Sequence, residues 1–206
     1  MVTELTVALM AGGQSTRMGT DKALVELSGQ PLIEHVLTRV TTLPDIRQTL
    51  LITNHPARYA HLELPTFPDV IPGKGALGGI YTALRHSPTP FVLVAACDMP
   101  FIQPLLLGYL REVLIAANGA LDVIVPRVAG RPQGLLAIYS RACLPAIRAD
   151  LESDLLKVIG FYDRVRVRYV DEAEYAPFDP QGRSFFNVNT PHDLEKAHQI
   201  INDTTG

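Results

Sequence analysis

The residues with the clearest chemical use lie in one polar loop near the N-terminus, residues 11–23, with the sequence AGGQSTRMGTDKA. Gly12 and Gly13 leave the backbone free to adopt positive φ and to come close to a ligand. Successive N–H groups in such a turn form a concavity that binds anions. Arg17 adds a planar, forked cation and Lys22 a compact one. The loop therefore has what a polyphosphate needs, and the alternative is a polar surface loop without a ligand.

The spacing within this loop excludes the two best-known phosphate-binding motifs. A Walker A loop requires GxxxxGK followed by Ser or Thr, but Gly13 and Gly19 are too far apart and Lys22 does not follow the second glycine. The GxGxxG pattern of dinucleotide-binding folds is missing from it as well. That pattern does occur at residues 73–78, but the preceding segment, PTFPDVIP, has three prolines and makes a poor central strand. We interpret it as a second glycine-rich loop, in which Lys74 borders the same pocket.

Asp98 is the second candidate for a role in binding or catalysis. It follows the apolar run FVLVAAC and precedes Met99-Pro100, where a central strand cannot continue. A carboxylate at this end of a strand is well placed to hold a hard cation, and Mg²⁺ is usually bound through one or two carboxylates plus substrate phosphates and water. A helix cap or a turn at Pro100 is the alternative. A phosphate-binding loop one strand away favours the metal.

A third feature is the pair Asn187 and Asn189. In an extended chain their side chains project to the same side, where they offer carbonyl oxygens to a metal or amides to a ligand. A turn followed by a helix cap explains Thr190 and Asn189 without any ligand, but it does not require Asn187.

These loops need a scaffold, and the apolar pattern predicts one. Apolar runs at residues 5–10, 49–52, 91–96 and 122–125 are typical of buried strands. Residues 32–40, 78–86 and 102–117 have helical spacing, the first behind Pro31 and the last ended by Asn118-Gly119. This alternation predicts a mostly parallel sheet with helices on both faces. Ligands of such sheets bind outside the carboxyl ends of the strands, where the opening loop and Asp98 both lie.

The later part of the chain is less regular. We predict strands at residues 134–139 and 165–170, a helix at residues 141–151 and a loop at residues 172–183. Thr190-Pro191-His192-Asp193 is a helix start, with a hydroxyl cap, a proline in the first turn and an acid three residues on. There is no repeat or linker, so residues 1–206 are expected to form a single domain.

Composition excludes several classes of protein. A net charge of −3 in 206 residues gives no basic field for nucleic acid or an anionic membrane. No apolar stretch approaches the roughly 18–20 residues that span a bilayer, and the N-terminus lacks the cationic region of a signal peptide, so we expect a cytoplasmic protein. Cys97 and Cys143 are too few for a disulfide framework or a zinc site, and the six histidines form no metal-binding pair.

Three stretches together, AGGQSTRMGTDKAL, CDMPFI and FFNVNTPHDL, resemble the molybdenum cofactor guanylyltransferases, over nearly the whole chain. The resemblance implies a Rossmann-like three-layer sandwich of the glycosyltransferase-A type and a nucleotidyltransferase activity. Related cytidylyltransferases usually read AAG at positions 11–13, where this chain has AGG, which favours guanylyl transfer. Two departures are visible. Met10 stands where the family usually has Leu, and Gly134 stands where members often have Pro.

The resemblance further implies that GTP and molybdopterin are condensed to the guanine dinucleotide form of the cofactor, with Mg²⁺ bound and pyrophosphate released. It also implies proteins that collect the product. Arg17 is then expected to grip the leaving pyrophosphate, Lys22 to bind the phosphates, and Asp98 to hold Mg²⁺ with help from Asn189. The nucleotide-binding positions carried over are Met10, Ala11, Gly12, Gly13, Lys22, Asn54, Asp69 and Asp98.

For the second substrate, Arg127 and Arg131 flank a loop that ends in Pro132-Gln133-Gly134 and are candidates to grip the pterin phosphate. The alternative is that both are exposed surface arginines. Asn187 and Asn189 are assigned either to this side or to the metal.

Two other functions remain open on sequence grounds. One is a nucleotidyltransferase with another specificity, transferring cytidylyl to molybdopterin or a nucleotidyl group to a sugar or alcohol phosphate. The other is a non-catalytic nucleotide-binding protein. The joint presence of phosphate-binding cations, a metal-binding carboxylate and an amide argues against the second: Arg17, Lys22, Asp98 and Asn189.

Overall fold

The computed structural model describes residues 4–12 and 21–205. In chain order, the strands found there are β1 (Leu5–Met10), β2 (Glu26–Leu27), β3 (Gln30–Pro31), β4 (Ile46–Ile52), β5 (Thr66–Phe67), β6 (Phe91–Ala96), β7 (Val123–Val128), β8 (Arg131–Pro132), β9 (Leu136–Ser140) and β10 (Val167–Val170). The helices are α1 (Leu32–Val40), α2 (Gly75–His86), α3 (Pro104–Ala117), α4 (Leu144–Glu152), α5 (Glu172–Tyr175) and α6 (Pro191–Thr205).

The central sheet has the strand order β10-β7-β9-β6-β1-β4-β5, with β8 paired to β7 at one side. β1 is parallel to both β4 and β6, whereas β9 is antiparallel to its neighbours β6 and β7. The predicted mostly parallel sheet is therefore confirmed. In register, Met10 pairs with Ile52 on one side and Ala96 on the other, so three strands end together.

Helices cover both faces of this sheet. Side chains along a buried strand alternate between the two faces, so each face presents apolar groups against which helices pack. Val7 and Leu9 of β1 pack in a cluster with residues of α1 and α3. Ala8 and Met10 pack on the opposite face, against α2 and α4. The result is the three-layer sandwich that was expected.

A smaller cluster joins the C-terminal helix to the edge of the sheet where β6 ends. Leu27 and Leu32, from the β2–β3 hairpin and α1, pack with Phe101, Val188 and Ala197. This packing brings the segment before α6 to the loop that follows β6. Residues far apart in sequence thereby meet at the carboxyl end of β6.

Most of the local predictions are confirmed. α3 ends at Asn118, which is left-handed with φ 46°, followed by Gly119 with φ 81°. At the start of α6, Thr190 Oγ1 accepts from the Asp193 N–H at 3.1 Å, and Asp193 Oδ2 accepts from the Thr190 N–H at 2.9 Å. This is the reciprocal cap that the residue pattern predicted.

The stretch at residues 172–183 differs from its prediction as a loop, because it begins with a short helix, α5. Asp171 and Glu174 form a capping box ahead of it. The density of acid, Pro and Gly in this stretch concealed that signal. Strand β9 also begins at Leu136 rather than at Gly134, and β10 at Val167 rather than at Val165.

Both cysteines are buried and form no disulfide, which is typical of cysteines that pack as small apolar side chains. Within the part of the chain that the structure describes, no helix has the length and apolarity to cross a membrane.

Gly134 gives a prediction about stability. A Cβ at this position would lie 2.5 Å from Val158 Cγ1 and 3.0 Å from the Tyr139 hydroxyl oxygen. We expect Gly134→Ala to lower the free energy of unfolding by about 1–3 kcal/mol through overpacking. Urea denaturation followed by circular dichroism measures the change.

The matched control is Gly108→Ala in α3, where an added Cβ meets no described atom within 4 Å. Alanine is the better helix former by about 0.5–1 kcal/mol, so this variant should be as stable as the wild type or more stable. Equal stabilities for the two variants would show that Val158 does not fill the space at Gly134.

Candidate active site

Three side chains from distant parts of the sequence meet where β1 and β6 end. Lys22 Nζ donates a hydrogen bond to Asn189 Oδ1 at 2.5 Å and lies 3.9 Å from Asp98 Oδ2. The side chains of Lys22 and Asp98 are each 24% exposed, so both groups remain open to a ligand. One cation thus stands between a carboxylate and an amide, an arrangement suited to a substrate that brings phosphate groups.

Lys22 and Asp98 are positioned by short backbone motifs. Lys22 opens a 3₁₀ turn, Lys22–Leu24, capped by Asp21, whose carboxylate accepts from the Ala23 N–H. Asp98 follows β6, and the Cys97 N–H before it donates to the Met10 carbonyl oxygen at 3.3 Å. This bond joins the start of the β6 loop to the end of β1.

Asn189 reaches the site because the chain on its N-terminal side is bound to Asp98. The Val188 N–H donates to the Asp98 carbonyl oxygen at 2.9 Å, and the Val188 side chain is fully buried. The Asn189 N–H is held by Asp193 Oδ2 at the start of α6. Asn189 is therefore fixed from both sides.

The electrostatics of Asp98 favour a cation beside it. Burial raises the pKa of this carboxyl above its ordinary value, and the nearby Lys22 opposes that rise. A partly desolvated carboxylate regains stabilisation when a hard cation binds. Asn189 Oδ1 has a second lone pair besides the one that Lys22 uses, so it is able to add a neutral oxygen ligand.

The donor set fits Mg²⁺ bound mainly by its substrate. Among the described residues, no group of three or more His, Cys, Asp or Glu side chains lies close enough together to hold a metal. Mg²⁺ does not require such a cage, since it is commonly held by one or two carboxylates together with phosphates and water.

On one side of this centre, Asn54 and Asp69 form a closed pair. Asn54 Nδ2 donates to Asp69 Oδ2 and Asn54 Oδ1 accepts from the Asp69 N–H, both at 2.9 Å. Helix α2 comes close to this corner at Gly79, where an added Cβ would clash with Met10 Cε and lie 3.8 Å from Asp69 Oδ1. The predicted nucleotide-binding residues Met10, Asn54 and Asp69 thus share one corner, beyond β4.

On the other side, beyond β6, a cavity of about 210 Å³ adjoins Asp98 through its neighbour Met99. Its walls are formed by the turn between β8 and β9 and by one residue of the segment before α6: Met99, Pro132, Gln133, Gly134, Leu135, Leu136 and Asn187. The predicted second-substrate residue Asn187 therefore lines a cavity, while Asn189 contacts Lys22.

Comparison with known proteins identifies the family. The sequence profile of the MobA-like NTP transferase domain matches residues 7–165. A probable molybdenum cofactor guanylyltransferase of Pelotomaculum thermopropionicum is 39% identical over 98% of this chain and 97% of that relative. Another, of Carboxydothermus hydrogenoformans, is 38% identical over 96% of each chain.

The chain belongs to the MobA-like NTP transferase family. It is a nucleotidyltransferase, and the resemblance seen in its motifs is confirmed. The crystal structure of molybdopterin-guanine dinucleotide biosynthesis protein A from Archaeoglobus fulgidus superimposes with a TM-score of 0.83 at 32% identity, covering 96% of this chain and 99% of that one. A CMP:2-keto-3-deoxy-manno-octonic acid synthetase complexed with CTP shares the fold, with a TM-score of 0.72 at 14% identity over 98% of this chain and 99% of that one.

Part of the nucleotidyltransferase loop lies outside the described residues, and with it Gly13 and Arg17. Ala11 follows β1 directly, with its N–H bonded to the Ile52 carbonyl oxygen at 3.0 Å. Gly12 is exposed and does not have a left-handed φ. An unusual backbone conformation therefore does not explain a glycine at this position.

The two arginines proposed for the second substrate differ in their surroundings. Arg127 forms a bidentate ion pair with Asp171, with both N–O distances 2.7 Å, and stacks over Tyr169 at 4.8 Å. We assign Arg127 to holding α5 against β7, because its fork is already occupied. Arg131 in β8 is exposed, next to the cavity residue Pro132.

The sequence did not predict the ion-pair partner of Lys74 or the position of Gln133 in the cavity wall. Lys74, expected at the border of the pocket, forms an ion pair with Asp154 after α4. Gln133 lines the cavity, although it was noted only as part of the loop that follows Arg131. No local pattern marks either contact, since each joins segments that are distant in the chain or depends on how a turn folds.

The raised pKa of Asp98 predicts how stability depends on pH. The unfolded carboxyl loses its proton at lower pH than the folded one, so its ionisation destabilises the fold as pH rises above about 4. Asp98→Asn should therefore gain stability relative to the wild type between about pH 4 and pH 7. Urea unfolding without metal or nucleotide measures this difference.

Asp122→Asn is the matched control with the opposite sign. Hydrogen bonds from Arg166 lower the pKa of Asp122, so its ionised form stabilises the fold above its unfolded pKa. The deficit in stability of this variant relative to the wild type should grow as pH rises toward about 4 and stay nearly constant from there to pH 7. If both variants changed in the same direction, burial would not be what dominates at Asp98.

Proposed function

We propose that this nucleotidyltransferase transfers GMP from GTP to the terminal phosphate of molybdopterin. The products are the guanine dinucleotide form of the cofactor and pyrophosphate. The observation that carries the proposal is the convergence of Lys22, Asp98 and Asn189 between a polar corner beyond β4 and a cavity beyond β6. Two relatives named as probable molybdenum cofactor guanylyltransferases, each aligned over nearly the full chain, support it.

In the proposed reaction, an oxygen of the acceptor's terminal phosphate attacks the α-phosphorus of GTP in line. A new P–O bond forms as the bond to pyrophosphate breaks, and pyrophosphate leaves with the electron pair. Little covalent work falls to the protein, so its contribution is positioning and charge neutralisation. Lys22 places its ammonium against the phosphates, and Arg17 is proposed to bind the leaving group bidentately.

Asp98, with Asn189 beside it, is the proposed Mg²⁺ site. These two side chains would hold the ion, which would supply positive charge to offset the negative charge that develops on the phosphates. Asn189 also receives the hydrogen bond of Lys22. The amide therefore holds the Lys22 ammonium beside the carboxylate of Asp98.

Asp69 is the proposed reader of guanine. Asn54 occupies one of its carboxylate oxygens, and the other is able to accept from the ring N–H and the amino group on the edge of guanine. Cytosine presents a single amino donor there and no ring N–H, so the same carboxylate favours guanine. Met10, Ala11 and Gly12 are proposed to contact the nucleotide beside it.

The decisive experiment measures pyrophosphate release and product mass with each of the four nucleoside triphosphates, molybdopterin and Mg²⁺. We expect turnover with GTP and a product whose mass equals the guanine dinucleotide. Turnover with CTP that equals or exceeds turnover with GTP would defeat the guanylyl assignment. Nucleotide binding without any pyrophosphate release would indicate a non-catalytic protein.

Removing the central charges should abolish most of the rate while leaving the fold intact. We expect Lys22→Ala and Asp98→Ala each to lower kcat by about 10²–10³-fold, the usual loss when one preorganised charge-stabilising group is removed. The control is Arg148→Ala, which removes an exposed arginine paired with Glu152 on α4. A retained kcat in either site variant would remove that residue from its proposed role.

The role of Asp69 is tested with inosine triphosphate, which lacks the 2-amino group of guanine. The wild type should prefer GTP to inosine triphosphate, and Asp69→Asn should lower kcat/KM for GTP by about 10–100-fold and reduce that preference. Asn54→Ala should act in the same direction, because Asn54 holds Asp69 through two hydrogen bonds. An unchanged preference in Asp69→Asn would place guanine recognition elsewhere.

A further inference from the structure

Two residues with amide side chains, Gln133 and Asn187, line the cavity beside Asp98, and each side chain is anchored in the same way. Gln133 Nε2 donates to the Arg131 carbonyl oxygen at 3.0 Å, and Asn187 Nδ2 donates to the Phe185 carbonyl oxygen at 2.9 Å. Within residues 4–12 and 21–205, neither side chain makes a further hydrogen bond. Each amide therefore keeps a carbonyl oxygen and a second N–H for a ligand.

The turn that carries Gln133 is held rigidly. The Gln133 N–H donates to the Pro126 carbonyl oxygen at 2.8 Å, and the Gln133 carbonyl oxygen accepts from the Leu136 N–H at 2.9 Å. The next residue, Gly134, accepts from the buried Tyr139 hydroxyl at 2.7 Å and has Val158 packed where a side chain would lie. A preorganised amide of this kind loses little freedom when it binds.

Apolar side chains make up much of the remaining wall. Met99 is almost fully buried, and Leu135 and Leu136 follow the turn. Thioether sulfur and branched aliphatic groups are favourable partners for the face of a planar ring. Amides at the edge and apolar groups over the face are what a flat heterocycle with several hydrogen-bonding atoms requires.

We propose that Gln133, acting with Asn187, binds the 2-amino-4-oxopyrimidine edge of the acceptor's pterin ring and so determines acceptor specificity. The carbonyl oxygens accept from the ring N–H and the amino group, and the remaining amide N–H groups donate to ring acceptors. This inference rests on the proposed function, and it adds Gln133 as a specificity-determining residue of the same site.

Guanine carries the same pattern of hydrogen-bonding atoms as a pterin, so the position of the cavity decides between the two. The Asn54–Asp69 corner lies beyond β4, on one side of β1. The cavity lies beyond β6, next to β9, on the other side of β1. With Lys22 and Asp98 between them, a nucleotide in the first position leaves the second to the acceptor.

The test compares Gln133→Leu with the wild type in steady-state kinetics. We expect KM for molybdopterin to rise about tenfold or more, because a hydrogen-bonding edge is left without its partner. KM for GTP and kcat at saturating acceptor should stay within about twofold of the wild-type values. An unchanged KM for molybdopterin would overturn the inference, and a rise confined to KM for GTP would assign the cavity to guanine instead.

Gln103→Leu is the matched control, because Gln103 Nε2 is also anchored to a carbonyl oxygen two residues earlier, that of Phe101, at 3.0 Å. Gln103 does not line the cavity, so its variant should behave as the wild type. Gln133→Glu serves as a second variant that retains acceptor oxygens. It should bind the pterin better than Gln133→Leu and worse than the wild type.

A binding measurement separates this inference from the proposed function. Fluorescence titration with free pterin and with lumazine, which has an oxo group in place of the 2-amino group, needs no catalysis. The wild type should bind pterin more tightly than lumazine, and Gln133→Leu should lose the preference. A wild type that did not transfer GMP to molybdopterin would contradict the proposed function, but the inference about Gln133 would still be decided by the preference for pterin. Equal binding of pterin and lumazine by the wild type would overturn that inference.

Discussion

The parallel pairing of β1 with β6 is the constraint on which the site depends. Its register places Met10 opposite Ala96, and the Cys97 N–H continues the ladder to the Met10 carbonyl oxygen. The two loops that follow these strands therefore begin side by side. A shift of one residue in this register would turn every side chain of one strand to the other face of the sheet.

A single further bond brings in the third component. The Val188 N–H binds the Asp98 carbonyl oxygen, and burial of Val188 between α1 and α6 keeps it there. This bond uses the backbone carbonyl oxygen of Asp98, so it does not occupy the carboxylate. Lys22 and Asn189 are then close enough to form a hydrogen bond with each other. The centre is small, with one carboxylate and one cation 3.9 Å apart.

Two glycines shape the regions on either side of that centre. At Gly79, the absence of a side chain lets α2 lie against Met10 and Asp69. At Gly134, the space that a side chain would fill is taken by Val158, from the segment after α4. The wall of the cavity is therefore completed from behind by a residue of another segment, as close packing requires.

The elements that depend on nearby residues were predictable from sequence. β1 follows from a continuous apolar run, and α6 from a cap whose partners, Thr190 and Asp193, are three residues apart. The end of α3 at Asn118 and Gly119 is equally local. The short helix α5 was missed because its capping box, Asp171 and Glu174, lies in a stretch whose composition is typical of loops.

The sequence by itself determined which residues are the candidates for the chemistry: a glycine-rich loop with Lys22, a carboxylate at Asp98, and the two asparagines before α6. Only the tertiary structure decided their partners. Lys22 and Asn189 are 167 residues apart in the chain, Asn187 lines the cavity while Asn189 does not, and Arg127 is bound to Asp171. Periodicity and capping act over a few residues, whereas these contacts depend on strand register and on which helix packs against which face. The identity of a functional group is therefore local information, and its partner is not.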